Sequence, residues 1–428
     1  MAEIITMEGG NRLVGQARVE GAKNACLPIM AAALLCEEQV ALYEIPPLED
    51  VQTMCKVLSA LGVQSMYYPV EKKLLISANQ LNKNETPAEL VRQMRASFLV
   101  VGPLLARTGR ARVHLPGGCA IGIRPIDLHL KGLKALGAEV VIDHGFIETI
   151  ADKLQGQTVY LDFPSVGATE TIMMAAALAQ GVTVIENAAE EPEVVDLARF
   201  INSMGGRVVG AGTETVRIHG VPKLYGCEYS VIPDRIEAGT LMVAAAITAG
   251  SITIENVIPT HLTPLIAKLR ETGCHVLEED TLIHVSRNSP IRAVNLKTLP
   301  YPGFPTDLQS PMMALLTLAK GTSVITETVF ENRFKHVEEL RRMGAQIRIE
   351  SHCAVVTGKE RLCGSLLKAT DLRAGAALIL AGLAARGRSQ LTQVHHLDRG
   401  YWQFTEKLAL LGANIKRERL STLSTDIN

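Results

Sequence analysis

The sequence predicts an α/β protein of two domains, each assembled from three copies of one βαβαββ unit of about 70 residues. Two counted patterns carry this. An amphipathic segment that ends in glycine and runs into a Val/Ile strand recurs six times: KVLSALGVQ, KGLKALGAEV, RFINSMGGRV, AKLRETGCHV, EELRRMGAQI and EKLALLGANI. Its glycines, Gly62, Gly137, Gly205, Gly273, Gly344 and Gly412, are 75, 68, 68, 71 and 68 residues apart, so six units use nearly all of the 428 residues. An Ala- or Leu-rich helix opens each unit: PIMAAALLC, FLVVGPLLA, TIMMAAALA, LMVAAAITA, MMALLTLA and AALILAGLA.

Within a unit, a turn and a β-branched strand (TVIENA, SITIENV, TSVITETV) follow the apolar helix. A variable loop then leads into the second helix, whose glycine suits a left-handed C-cap, and the alternation beyond it suits a strand. Strand-like lead-ins precede several of the apolar helices, from Gly15, Gly156, Gly226 and Gly364. The third and fourth units meet near residue 229, and the first 21 residues have no unit of their own. Two groups of three units agree with the two domains expected for a chain of this length.

Composition sets the class. Lys plus Arg is 43 and Asp plus Glu is 44, a balance that argues against binding nucleic acid or anionic membrane by bulk charge. Aromatics at 4% disfavour base-stacking platforms. The apolar runs are too short to span a membrane, and the first residues, MAEIITMEGG, do not read as a signal peptide. Eight cysteines without a CxxC pair read as reduced, cytosolic thiols, most of them core filler, and no histidine spacing suggests zinc.

Function in a repeated scaffold concentrates where the copies differ. One such place is the entry to the apolar helix: Lys23 and Asn24 in GAKNA, Arg95, Ser165 in SVGAT, Asp234 and Arg235, Asp307 in FPTD, and Asp371 with Arg373. The other is the loop before the second helix, which carries Arg124, Arg333 and Arg399. Cations at helix N-termini, where free N–H groups also point outward, predict a strongly cationic site in a neutral protein; surface arginines at helix caps are the plainer reading. LPGGCAIGIRPID is the most unusual loop. Its Cys119 is either an incidental thiol or a proton donor, and a nearby cation would make it reactive. Asp307 is either a helix N-cap or a general base, and His129, on a helix, reads as structural.

Taken together, GAKNA, LPGGCAIGIRPIDLHL, SVGATETIMMAA, IPDRIEAGT, GFPTDLQSP, ETVFENRF, ATDLRAGA and HLDRGY resemble the UDP-N-acetylglucosamine 1-carboxyvinyltransferase family, enolpyruvyl transferases of the EPSP synthase superfamily. The resemblance covers essentially the whole chain, in order. It implies two inside-out α/β barrels of three units each, residues 22–229 forming one and residues 1–21 with 230–428 the other, with the active site in the cleft between them. It implies transfer of the enolpyruvyl group of phosphoenolpyruvate to the 3-hydroxyl of UDP-N-acetylglucosamine, the committed step of peptidoglycan synthesis in the cytoplasm, with no metal or organic cofactor.

Carried over motif by motif, the resemblance makes Cys119 the general acid, and the thiol that fosfomycin alkylates, and Asp307 the general base. Lys23, Asn24, Arg124 and Arg399 would hold phosphoenolpyruvate. Arg95, Arg124, Pro125, Ile126, Asp127, Leu128, Ser165, Val166, Gly167, Asp307 and Val329 would contact the sugar nucleotide. Arg333, Asp371 and Arg373 would close the cleft. Phe163 departs from the pattern, since some members carry a lysine there. Two rivals remain: 5-enolpyruvylshikimate-3-phosphate synthase, which lacks the Cys119 loop, and a silent sugar-nucleotide-binding paralogue, which should have lost one of these residues.

Overall fold

The computed structural model describes residues 3–115 and 126–419. These fall into two compact units, one of residues 20–115 with 126–233 and the other of residues 3–19 with 234–419. Both are α/β, and six sheets are formed in all, five of four strands and one of three.

Each predicted turn glycine sits in the left-handed region. Gly62, Gly137, Gly205, Gly273, Gly344 and Gly412 have φ between 89° and 99°. Each lies two residues beyond a helix, as Gly62 does after Glu49–Ala60 and Gly412 after Phe404–Leu410. The next residue's N–H returns to the helix five residues back, Val63 to Leu58 and Ala413 to Leu408 among them. That is the 6→1 bond of a Schellman cap, which satisfies a free helix carbonyl and favours a residue without a Cβ at the turn.

In every four-stranded sheet one edge strand is parallel and the other two pairings are antiparallel. Two of the lead-in strands do not join the sheet of the helix that follows them. Val14–Arg18 precedes the helix Lys23–Ala32 but pairs with Ser251–Glu255, while Glu228–Ser230 precedes Arg235–Ile247 but pairs with Gln39–Tyr43. The N-terminal strand Glu3–Glu8 lies between Arg388–Thr392 and Asn414–Arg419, so it completes the last sheet of the chain. Its Ile5 and Met7 face inward and are wholly buried.

The apolar helices form the interior of each unit. Every residue from Ile236 to Ile247 is buried, as are Arg373 to Leu383. A helix that is apolar on all sides belongs at a centre rather than on a face. These two pack against each other and against Gln309–Leu316. In the other unit Val101–Thr108 approaches Val166–Ala176 almost at backbone contact, since a Cβ on Gly102 would lie 2.6 Å from the Thr171 carbonyl oxygen. Cysteine is less of a core residue than the sequence suggests: Cys26, Cys36 and Cys274 are buried, Cys55, Cys227 and Cys353 are partly exposed, and Cys363 is exposed. None of the described helices is long and apolar enough to cross a membrane.

Candidate functional site

In the unit of residues 20–115 and 126–233, the predicted residues collect at helix N-termini. Lys23 is the first residue of its helix, a poor place for a cation because the helix dipole is positive there. Asp50, in the first turn of Glu49–Ala60, meets its ammonium at 3.2 Å with both side chains nearly buried. The neighbouring Asn24 is exposed. Arg95 opens the turn Arg95–Val100, which packs against both Lys23–Ala32 and Val166–Ala176.

Arg95 also acts electrostatically on His129 of the helix Asp127–Ala135. Burial, then the Arg95 charge, pushes this imidazole down to about 3, so it is neutral at physiological pH. Its Nδ1 lies 2.9 Å from the Thr171 hydroxyl, and Phe98 meets the ring edge-on. Ser165 caps Val166–Ala176, its hydroxyl accepting from the Ala168 N–H. Gly167 follows because the His129 ring covers it: a Cβ there would lie 2.9 Å from the ring Cε1. Gly167→Ala is therefore expected to cost about 1 kcal/mol net, the clash outweighing the helix-propensity gain. Urea unfolding reads this directly, and a variant as stable as its parent would show that the ring yields freely. Ile126, Asp127 and Leu128 start the His129 helix, with Asp127 exposed. Phe163 is exposed ahead of Ser165. Cys119, Arg124 and Pro125 lie outside the described residues.

In the other unit, Asp307 is the centre of a charged cluster. It is not a helix cap: the cap position of its turn, Thr306–Leu308, belongs to Pro305. The carboxylate instead accepts from two guanidiniums. Arg333 Nη2 reaches Oδ1 at 2.5 Å, and Arg373 reaches Oδ2 through Nε at 3.1 Å and Nη2 at 2.8 Å. Both arginines are about 96% buried, so their charges depend on this partner. Burial alone would depress Arg373, but Asp307, Tyr401 and Asp234 together raise it above its ordinary range. The Arg373 guanidinium also stacks 5.3 Å from the Tyr401 ring centre. Asp234 and Asp371 are true caps, of Arg235–Ile247 and Leu372–Ala384, each accepting from two backbone N–H groups.

His336, absent from the sequence reading, is buried beside this cluster, with Nδ1 3.4 Å from the Ser310 hydroxyl. Burial depresses its imidazole to about 4; Asp371 opposes the shift and Arg333 adds to it. Because that value lies below the ordinary 6.5, the unfolded chain binds a proton there that the folded chain does not. The resulting stability is complete above pH 6.5 and is lost as the pH falls towards 4. In His336→Asn the slope of unfolding free energy against pH across this window should drop by about 1.4 kcal/mol per pH unit. An unchanged slope would show that the buried ring keeps its proton.

Arg399 ends the short helix His395–Asp398, which packs on Leu372–Ala384, and its charge and that of Asp371 both act on His396. Val329 is held by its N–H, which donates to Glu327 Oε1 at 2.9 Å. Asp307, Arg333 and Arg373 are thus in direct contact, with Asp371 capping the helix that carries Arg373, while Lys23, Arg95, Ser165 and Gly167 belong to the other unit. Asp50, His336 and Glu327 were not legible as site residues, because their importance lies in what they touch. The one available signal for Asp50 was its position in IPPLED, a loop that differs between copies.

Known proteins share this chain's sequence and fold. The family model described as EPSP synthase (3-phosphoshikimate 1-carboxyvinyltransferase) matches residues 7–408. The chain is 58% identical over 417 residues to UDP-N-acetylglucosamine 1-carboxyvinyltransferase 2 of Carboxydothermus hydrogenoformans, covering 97% of this chain and 99% of that protein. It is 57% identical over 406 residues to UDP-N-acetylglucosamine 1-carboxyvinyltransferase 1 of Caldanaerobacter subterraneus, covering 95% and 97%. Among solved structures, the enolpyruvyl transferase NikO from Streptomyces tendae matches with a TM-score of 0.88 at 27% identity, covering 97% of this chain and 99% of that one. EPSP synthase from Acinetobacter baumannii matches in fold alone, with a TM-score of 0.76 at 18% identity over 98% of this chain and 100% of that one.

Proposed function

Since the chain belongs to the EPSP synthase family of carboxyvinyltransferases, we infer that it transfers the enolpyruvyl group of phosphoenolpyruvate to the 3-hydroxyl of UDP-N-acetylglucosamine, releasing phosphate. The observation that carries this is the identity of 56–58% over nearly the whole chain to relatives named for that sugar nucleotide. Two solved structures of the shikimate enzyme match at 18–19% identity, a likeness of fold. Such transfer commits UDP-N-acetylglucosamine to peptidoglycan.

In this reading each unit is an inside-out barrel of three βαβαββ repeats, with domains 22–229 and 1–21 plus 230–428 and the substrates held between them. Asp307 takes the proton of the sugar hydroxyl as its oxygen bonds to C2 of phosphoenolpyruvate, and Cys119 delivers a proton to C3. The division of labour matters because C2 becomes electrophilic only as C3 is protonated. Loss of a C3 proton from the tetrahedral adduct then expels phosphate and restores the double bond. Lys23, Asn24, Arg124 and Arg399 bind the phosphate and carboxylate, where fixed cations stabilise the departing charge. Arg95, Ile126, Asp127, Leu128, Ser165, Val166, Gly167 and Val329 bind the sugar nucleotide with Arg124 and Pro125. Arg333, Asp371 and Arg373 serve closure, which excludes water that would compete with the hydroxyl. Arg333 and Arg373 also fix the orientation of the Asp307 carboxylate.

Product analysis by mass spectrometry tests the reading. With phosphoenolpyruvate and both acceptors present, UDP-N-acetylglucosamine alone should gain one carboxyvinyl group. Modification of shikimate 3-phosphate instead would overturn it, and modification of neither would point to a silent sugar-nucleotide binder.

A further inference from the structure

Glu327 is a buried carboxylate that belongs to none of the roles above. It stands just beyond the strand Thr322–Thr326 and is 1% exposed. Among the described residues no cation pairs with it; four hydrogen-bond donors meet its charge instead. Oε1 accepts from the Thr298 hydroxyl at 2.7 Å, the Val329 N–H at 2.9 Å and the Phe330 N–H at 3.3 Å. Oε2 accepts from the Thr306 hydroxyl at 2.9 Å. Thr298 is itself fixed, its hydroxyl accepting from the Thr328 N–H and its carbonyl from the Thr328 hydroxyl.

The two oxygens therefore serve different segments. One folds the Val329–Phe330 turn back onto the sheet, and the other grips the residue immediately before Asp307. Leaving a carboxylate in the interior is costly unless its acceptor sites are filled, so such a group is a strong constraint on every segment that fills them. A backbone carbonyl has one oxygen, whereas the two carboxylate oxygens reach both segments at once.

We propose that Glu327 is the positioning residue of this unit, setting the Val329 turn through Oε1 and the Thr306–Asp307 turn through Oε2, so that the sugar-nucleotide contact and the base keep a fixed spacing. The proposal rests on the function inferred above for Val329 and Asp307, and its two arms can be cut separately. Thr306→Val removes only the Oε2 arm and should lower kcat about tenfold with the sugar-nucleotide KM within about twofold of the parent. Thr298→Val weakens the Oε1 arm and should raise that KM about tenfold with kcat nearly unchanged. Thr306→Ser, which keeps the hydroxyl, should restore kcat.

Variants that move kcat and KM alike, or failure of the serine to rescue, would overturn the proposal in favour of a merely structural carboxylate. Hydrogen exchange of the Val329 and Phe330 amides supplies a readout independent of turnover. In Glu327→Ala, which removes both oxygens, these should exchange at least about tenfold faster than in the parent. Unchanged exchange would reject the clamp. Absence of turnover in the parent, with faster exchange in the variant, would reject the functional reading and leave the clamp standing.

Discussion

Asp307→Asn is expected to lower turnover by about a thousandfold, within the range that a general base contributes. The amide keeps the shape of the carboxylate but cannot accept the hydroxyl proton at neutral pH. It also turns an NH2 group towards one of two guanidiniums that now share the Asp307 oxygens. Asp307→Ala should go further and destabilise the protein by about 3 kcal/mol, because it strands Arg333 and Arg373, both buried, without their anion. Phosphate-release kinetics and urea unfolding measure the two effects. If the asparagine variant kept more than about a tenth of the parent turnover, Asp307 would be a clamp for the arginines rather than the base.

Loss of the thiol proton donor should be as severe. Cys119→Ala is expected to lose about two to four orders of magnitude in turnover. Cys119→Asp supplies another acid and should retain turnover while resisting fosfomycin, which needs a sulfur nucleophile. Turnover measured with and without fosfomycin separates the two properties. If Cys119→Ser were as active as the parent, proton donation from this position would be wrong, since a serine hydroxyl is far too weak an acid to take over.

The parts of the fold that local chemistry dictates were legible in the sequence. The six turn glycines could be counted because a Schellman cap demands a left-handed residue, and all six have that conformation. The apolar helices were legible because a helix without a polar face has nowhere to go but the interior. Strand partners were not. Nothing local in GQARVEG says that Val14–Arg18 pairs with Ser251–Glu255 rather than within the unit it leads into, because pairing is decided by long-range register.

The charged site divides the same way. Lys23, Asp307, Asp371 and Arg373 stood out by position at helix entries. The residues that hold their surroundings did not: Asp50 pairs with Lys23 from 27 residues away, Glu327 bonds the Thr306 hydroxyl from 21 residues away, and His336 meets the Ser310 hydroxyl from 26 residues away. By sequence Asp307 is a cap or a base; the structure gives the cap place to Pro305 and sends the carboxylate to two arginines. A cap and a base use the same residue type in the same local motif, so only the contacts separate them.

The measurement that tests the account most directly is phosphate release from phosphoenolpyruvate, run with UDP-N-acetylglucosamine, with shikimate 3-phosphate and with no acceptor, each with and without fosfomycin. The account predicts release with the sugar nucleotide alone, abolished by fosfomycin. Release driven by shikimate 3-phosphate, or release with UDP-N-acetylglucosamine that fosfomycin leaves untouched, would contradict it.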